Sequence, residues 1–177
     1  DDKTLHPQWI DNKDEAIKRK CKKYGIDRGE VAVGFEDFAK ELSTSAKKID
    51  FITFDYGEKH SRNDFSIRIY KDHKVYPFFE NGLDMNELYK KSDITMDVNF
   101  SHLIDAFEQN MFQTVKFSFQ NSALVDFGLL EILEKYAKVS TQEQYIHQVN
   151  KIKTLIEPSM MGERFKMVHF QKGYDET

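Results

Sequence analysis

Glycine is scarce in this chain: there are 8 in 177 residues, and no two are spaced G-x-G. A loop that cradles a phosphate or a dinucleotide needs closely spaced glycines so that the backbone can approach the ligand. No segment here can form one. Cysteine is rarer still. The single Cys21 excludes an internal disulfide framework and a thiolate metal cluster, and fits a reducing compartment. None of the histidines has a second His or Cys at ligand spacing, so no metal site is expected. Positive charge is not in excess either. Lys and Arg number 26 against 30 Asp and Glu, a formal net charge of −4, which gives no overall reason to bind nucleic acid or an anionic membrane. No apolar run approaches the ~18 residues of a transmembrane segment. The opening Asp1-Asp2-Lys3 suggests a processed product or a piece whose beginning lies elsewhere.

Large apolar side chains are abundant: 15 Phe and 8 Tyr, with 40% of residues hydrophobic, enough for a folded core. Residues 1–28 read as a polar arm with one short basic helix, between Asp14-Glu15 and Gly25, carrying Ile17, Cys21 and Tyr24 on one face. Its Lys18–Lys23 run is read as the solvated face of that helix rather than a surface for RNA or acidic lipid. From residue 29 strands and helices alternate. Glu30–Val33 is a short strand candidate, and Phe35, Phe38, Ala39, Leu42 and Ala46 repeat as an amphipathic helix does. Ile49–Phe54 is a buried strand ending in a turn at Asp55-Tyr56-Gly57, and Phe65–Phe79 has the look of a hairpin. A helix over 100–111 presents Phe100, Leu103, Phe107 and Met111, followed by an alternating strand, Thr114–Phe119. Ala123–Val139 is a helix interrupted by Gly128. Ser140-Thr141-Gln142-Glu143 is a capping box opening a helix that Pro158 closes, and Phe165–Phe170 is the last strand. The order predicts an α/β layered sheet.

Few residues suggest chemistry on their own. Arg68 and His73 form an R-x4-H spacing, but across a predicted hairpin rather than along a helix. Cys21 has no nearby histidine to activate it. Asp55 and Tyr56 stand at the end of a predicted strand, where α/β sheets hold ligands. They are either the rim of a cleft or simply a turn made by Gly57 with Asp55 as a local cap.

Five segments, taken in order, resemble the MidA-like class I methyltransferases, the family of the mitochondrial complex I assembly-factor arginine methyltransferase. Glu30–Val33 and its helix, with Phe51–Gly57, resemble a late strand ending in D-Y-G. Ser66-Ile67-Arg68 with Asp72-His73-Lys74 resembles a T-[FL]-R-x4-H stretch. Asp93-Ile94-Thr95-Met96-Asp97-Val98-Asn99-Phe100 is similar to D-L-T-x-D-V-D-F. Gln120, Leu124 and Gly128 fall on Q-x3-L-x3-G, and Met161-Gly162-Glu163-Arg164-Phe165-Lys166 on M-G-E-x-F-K. Ile69, Asn99 and Ile132 depart from the pattern, where a Gly, an Asp and an Arg are usual, and residues 80–91 look like an enlarged loop.

The resemblance implies the C-terminal half of a class I methyltransferase sheet over residues 29–172, with a tail at 173–177. Strands near 49–55 and 114–119 should flank a final antiparallel strand near 165–170. The glycine turn that holds S-adenosylmethionine in that family has no counterpart among these residues, so no cofactor is expected in this chain; S-adenosylmethionine enters only if an N-terminal half is supplied. Asp55, Tyr56, Arg68 and His73 are the candidate cleft residues, and Gly57, Asp93, Thr95, Asp97, Phe100, Gly128, Met161, Gly162 and Phe165 carry the motifs. A half-sheet leaves a strand edge near 49–55 for a protein partner. The expected role is a non-catalytic structural subunit on the matrix side of mitochondria, in an assembly such as respiratory complex I. The alternative is one part of a split or truncated arginine methyltransferase acting in complex I assembly.

Overall fold

The computed structural model describes residues 8–80 and 83–174. The first seven residues of the expected arm, residues 81 and 82 of the enlarged loop, and 175–177 of the tail lie outside the described residues. In chain order the elements are α1 (Glu15–Tyr24), α2 (Phe35–Ser45), β1 (Ile49–Glu58), β2 (Arg68–Lys71) and β3 (Lys74–Pro77). Next come α3 (Met85–Leu88), β4 (Asp93–Thr95), β5 (Val98–Asn99), α4 (Phe100–Glu108) and β6 (Gln113–Phe119). The chain finishes with α5 (Gln120–Asp126), α6 (Leu129–Val139), α7 (Gln142–Ile156) and β7 (Phe165–Lys172). No helix among the described residues is long and apolar enough to cross a membrane.

The residues group into two compact units. The first takes the described residues up to Val33 together with Glu58–Ser101. In it α1 forms as the sequence predicts: the Asp14 carboxylate accepts the backbone N–H of Ala16 at 2.7 Å, capping the first turn. The hairpin also forms, with β2 and β3 joined by Asp72 and His73, both at positive φ (49° and 61°). Two such residues give the turn whose twist suits paired strands. β4 pairs on the other side of β2, with Ile69 opposite Ile94, and Ile69 is fully buried. The strand expected at Glu30–Val33 does not form. The Glu30 carboxylate accepts the backbone N–H groups of Ser66 (2.8 Å) and Ile67 (2.5 Å), so a side chain takes the donors that a ladder would have used.

The second unit comprises Gly34–Gly57 and the chain from His102 onward. Here β7 lies between β1 and β6, antiparallel to both, so β1 and β6 run parallel to each other. This is the order expected of the last three strands. Beneath one face of the sheet Phe107 stacks on Phe170 at 4.1 Å and on Phe51 at 5.2 Å, while Phe38 of α2 meets both Phe51 and Phe107 edge-on. Phe107 and Phe170 are fully buried, each contributing roughly 2–3 kcal/mol by leaving water. On the other face Phe127 meets Phe54 edge-on.

Three local expectations are corrected. The turn at Asp55-Tyr56-Gly57 is strand: β1 continues to Glu58, because Asp55 and Tyr56 stay in register with Lys166 and Phe165 of β7. Met111 lies beyond the end of α4, exposed and at φ 69°, rather than on that helix's buried face. The capping box sits one residue later. Thr141 and Gln144 exchange its two bonds, while the Ser140 hydroxyl donates to the Tyr136 carbonyl and closes α6.

Where β1 begins, the Asp50 carboxylate gathers the Tyr174 hydroxyl, the Gln171 amide at 2.8 Å and the His169 ring at 2.7 Å. Chiefly the Tyr174 hydrogen bond, then those of Gln171 and His169, lower its pKa from 3.8 to about 2. The folded value lies below the unfolded one, so this group stabilises the fold above pH 4 and the contribution is lost as pH falls from about 4 to about 2. Replacing Asp50 by Asn should flatten acid denaturation in that window. Equal slopes for both proteins between pH 4 and 2 would show that the carboxylate contributes nothing.

Candidate functional site

In the first unit the chain folds back so that Asp97, in the segment after β4, receives two arginines. Arg68 Nη2 lies 2.9 Å from Asp97 Oδ1, and Arg62 Nη1 lies 3.0 Å from Oδ2. The pairs differ in exposure: the side chains of Asp97 and Arg68 are each 16% accessible, that of Arg62 58%. Arg68 is fully engaged. Its Nε donates to the Tyr70 hydroxyl at 2.9 Å and its Nη1 to the Ser66 carbonyl at 3.0 Å. Burial opposes the Arg68 cation, but the Tyr70 hydrogen bond and Asp97 outweigh it, and its pKa stands above the ordinary value. The Ser66 hydroxyl accepts the backbone N–H of Asp97 at 2.8 Å, which ties the loop after β1 to the loop after β4.

Beside this cluster lies a polar cavity of about 30 Å³, lined by Arg28, Glu30, His60, Arg62, Asn63 and Asp97 among others. That is the room of a single water molecule. The Asn63 side-chain carbonyl accepts the N–H groups of Asp27 (2.7 Å) and Arg28 (2.9 Å) at its edge. His73, paired with Arg68 in the sequence pattern, sits exposed in the hairpin turn, while Arg68 is on β2. Asp93 and Thr95 lie opposite Tyr70 and Arg68 on β4, and Phe100 is buried at the start of α4.

Asp55 and Tyr56 belong to the second unit, on β1. The Asp55 carboxylate accepts the N–H of Tyr56 at 2.7 Å. The Tyr56 ring lies 3.9 Å from that of Phe165, with the Arg164 guanidinium 5.5 Å from its centre. Gly57 stands at φ 151° in the same strand. Gly128 separates α5 from α6 at φ 87°. Met161 and Gly162 form the tight turn between α7 and β7. Gln120 donates from its amide to the Leu155 carbonyl at 2.8 Å, fixing α5 to the end of α7. Sequence reasoning missed Arg62 and Glu30. Each meets its partner more than 30 residues away in sequence, and no local spacing signals such a pair.

Comparison with known proteins finds no matching family model and no matching curated protein. Similar solved structures include two of COG1565 superfamily proteins from Burkholderia thailandensis. One is uncharacterized: it is 18% identical with a TM-score of 0.73, and the match covers 95% of this chain and 46% of that one. The other, inferred to be a methyltransferase, was crystallised with S-adenosyl-homocysteine bound. It is 19% identical with a TM-score of 0.73, over 90% of this chain and 42% of that one. The chain therefore has a class I methyltransferase-like α/β fold, and it spans less than half the length of either solved relative.

Proposed function

We propose that this chain is a methyltransferase-derived structural module that does not itself hold the cofactor and works by binding a protein partner. One observation carries the reading: Arg68, the motif residue best suited to reach a substrate, has all three guanidinium nitrogens occupied by Asp97, Tyr70 and Ser66. Its pairs hold the fold together. The partner would lie along residues 49–55 of β1 on the edge that faces away from β7, where the two-residue β5, its neighbour on that side, is too short to cover a ten-residue strand. The family resemblance to MidA-like proteins extends the proposal to a mitochondrial setting, on the matrix side, in an assembly such as respiratory complex I. Isothermal titration of the purified chain with S-adenosylmethionine is expected to give no binding heat. Saturable binding at micromolar concentration would overturn the proposal.

A second reading has its own support. A similar solved protein binds S-adenosyl-homocysteine, and this chain matches less than half of that protein. On this reading the chain is the C-terminal part of an arginine methyltransferase whose cofactor-binding half is supplied by another polypeptide or another segment, with Asp55 and Tyr56 at the cleft rim. Cross-linking from Ile52 in the native assembly distinguishes the two. A G-x-G-bearing methyltransferase segment on β1 favours the second reading, and any other protein there favours the first.

A further inference from the structure

The helical hairpin of the second unit is built from apolar residues yet buries none of them completely. α6 contains Leu129, Leu130, Ile132, Leu133, Tyr136 and Val139 in 11 residues, and no residue of α6 or α7 is buried. At about 100° per residue, Leu129, Leu133 and Tyr136 share one side of α6, and these are the half-buried positions. Ile132 and Val139, seven residues apart, fall together on a flank turned away from that side. They are 60% and 83% exposed, and Leu130 on the opposite flank is 51% exposed.

The charges on α6 are ordered. Glu131 and Glu134 occupy its first half, Lys135 and Lys138 its second. No ion pair or hydrogen bond among the described residues engages the side chains of Lys135 or Lys138, nor forms a salt bridge to Glu131 or Glu134. A helix acidic in its first half and basic in its second is complementary to itself when two copies run antiparallel. Reversal brings Glu131 level with Lys138 of the second copy, both on the same side of the Ile132–Val139 flank. In the same register Ile132 lies within two residues, about 3 Å along the axis, of Val139 of the second copy, close enough for the two to pack across the seam. A parallel pairing would set Glu131 against Glu131 and Lys138 against Lys138, which like-charge repulsion disfavours.

We propose that the exposed flank of α6 is a homodimer interface in which two copies of this chain pack α6 antiparallel across a twofold axis, with Ile132 and Val139 as the apolar seam and Glu131–Lys138 pairs beside it. Each contact occurs twice, as an isologous interface requires. The helix is about 16 Å long, so the contact lies at the small end of interface sizes and the dimer is expected to be reversible, with a Kd in the micromolar range. The inference rests on this hairpin alone and is independent of the function proposed above.

Sedimentation velocity of the whole chain from about 1 to 100 µM should show a concentration-dependent dimer. Ile132→Glu should leave a monomer across that range. Because Ile132 is exposed, the variant should keep its helical circular dichroism. Glu131→Lys and Lys138→Glu should each weaken the dimer by about tenfold, and the double swap Glu131→Lys/Lys138→Glu should restore it, since the pair re-forms with its signs exchanged. A chain that stays monomeric throughout, a dimer indifferent to Ile132→Glu, or a swap no stronger than its single variants would each overturn the proposal.

Discussion

Asp97→Ala is expected to destabilise the first unit by about 3 kcal/mol. That figure is the low end of the range for removing one partner of a buried ion pair, chosen because the two side chains keep 16% of their accessibility. The loss comes mainly from Arg68, left as a largely buried cation with no counter-charge and with Tyr70 and Ser66 as its remaining partners. Arg62→Ala removes the other pair but should cost less than about 1 kcal/mol, since that guanidinium is 58% exposed and water replaces it. The measurement is amide hydrogen exchange on β2, β3 and β4, which reports the opening of this unit separately from the other. Protection there should fall by roughly a hundredfold in Asp97→Ala and hardly at all in Arg62→Ala. Equal losses in the two variants would mean that Arg68 is not the residue that needs Asp97. The result also bears on function: an arginine held this firmly by its own fold is a poor ligand for anything outside it.

What the sequence reveals about this molecule follows from the range of each interaction. The amphipathic periods of α2 and α4 and the alternation of β6 report which side faces a core, and the Phe51, Phe107 and Phe170 stack lies where those periods point. The position of β7 between β1 and β6 came from resemblance, since no property of Phe165–Phe170 by itself says which strands it separates. The errors are equally physical. Val31–Val33 has the composition of a strand, but Glu30 satisfies the neighbouring backbone with its side chain. Thr141 rather than Ser140 caps α7 because Ser140 is already bonded back to Tyr136. Met111 has the right spacing for a helix face, but α4 stops at Glu108. The Asp97 cluster was half legible: Asp97 and Arg68 both stood out as motif residues, while their pairing joins β2 to the far side of a loop, a distance no local pattern spans.

Gly162→Ala is expected to cost at least 3 kcal/mol, and here the motif residue matters through space rather than conformational freedom. A Cβ at Gly162 would stand 2.2 Å from the Ile156 carbonyl oxygen, 2.6 Å from its carbon and 2.9 Å from the Glu157 oxygen. All three are backbone atoms, so no side chain can swing aside. The turn is also pinned, since the N–H of Gly162 donates to the Glu157 carbonyl at 3.0 Å. Relief therefore requires the end of α7 and the approach to β7 to separate by about 1 Å, a displacement at the upper end of what overpacking costs. β7 is an inner strand, paired with β1 from Phe165 and with β6 from Lys166, so the shift would reach β1 and β6 together. Gly128→Ala is the natural comparison. Its φ of 87° strains any side chain, but the added Cβ meets only the Glu131 carboxylate at 3.3 Å, a flexible end that can move. That variant should lose only about 1–2 kcal/mol. Urea denaturation followed by circular dichroism should therefore give a clearly lower midpoint for Gly162→Ala than for Gly128→Ala. The reverse order would mean that the turn before β7 yields more easily than its backbone contacts indicate.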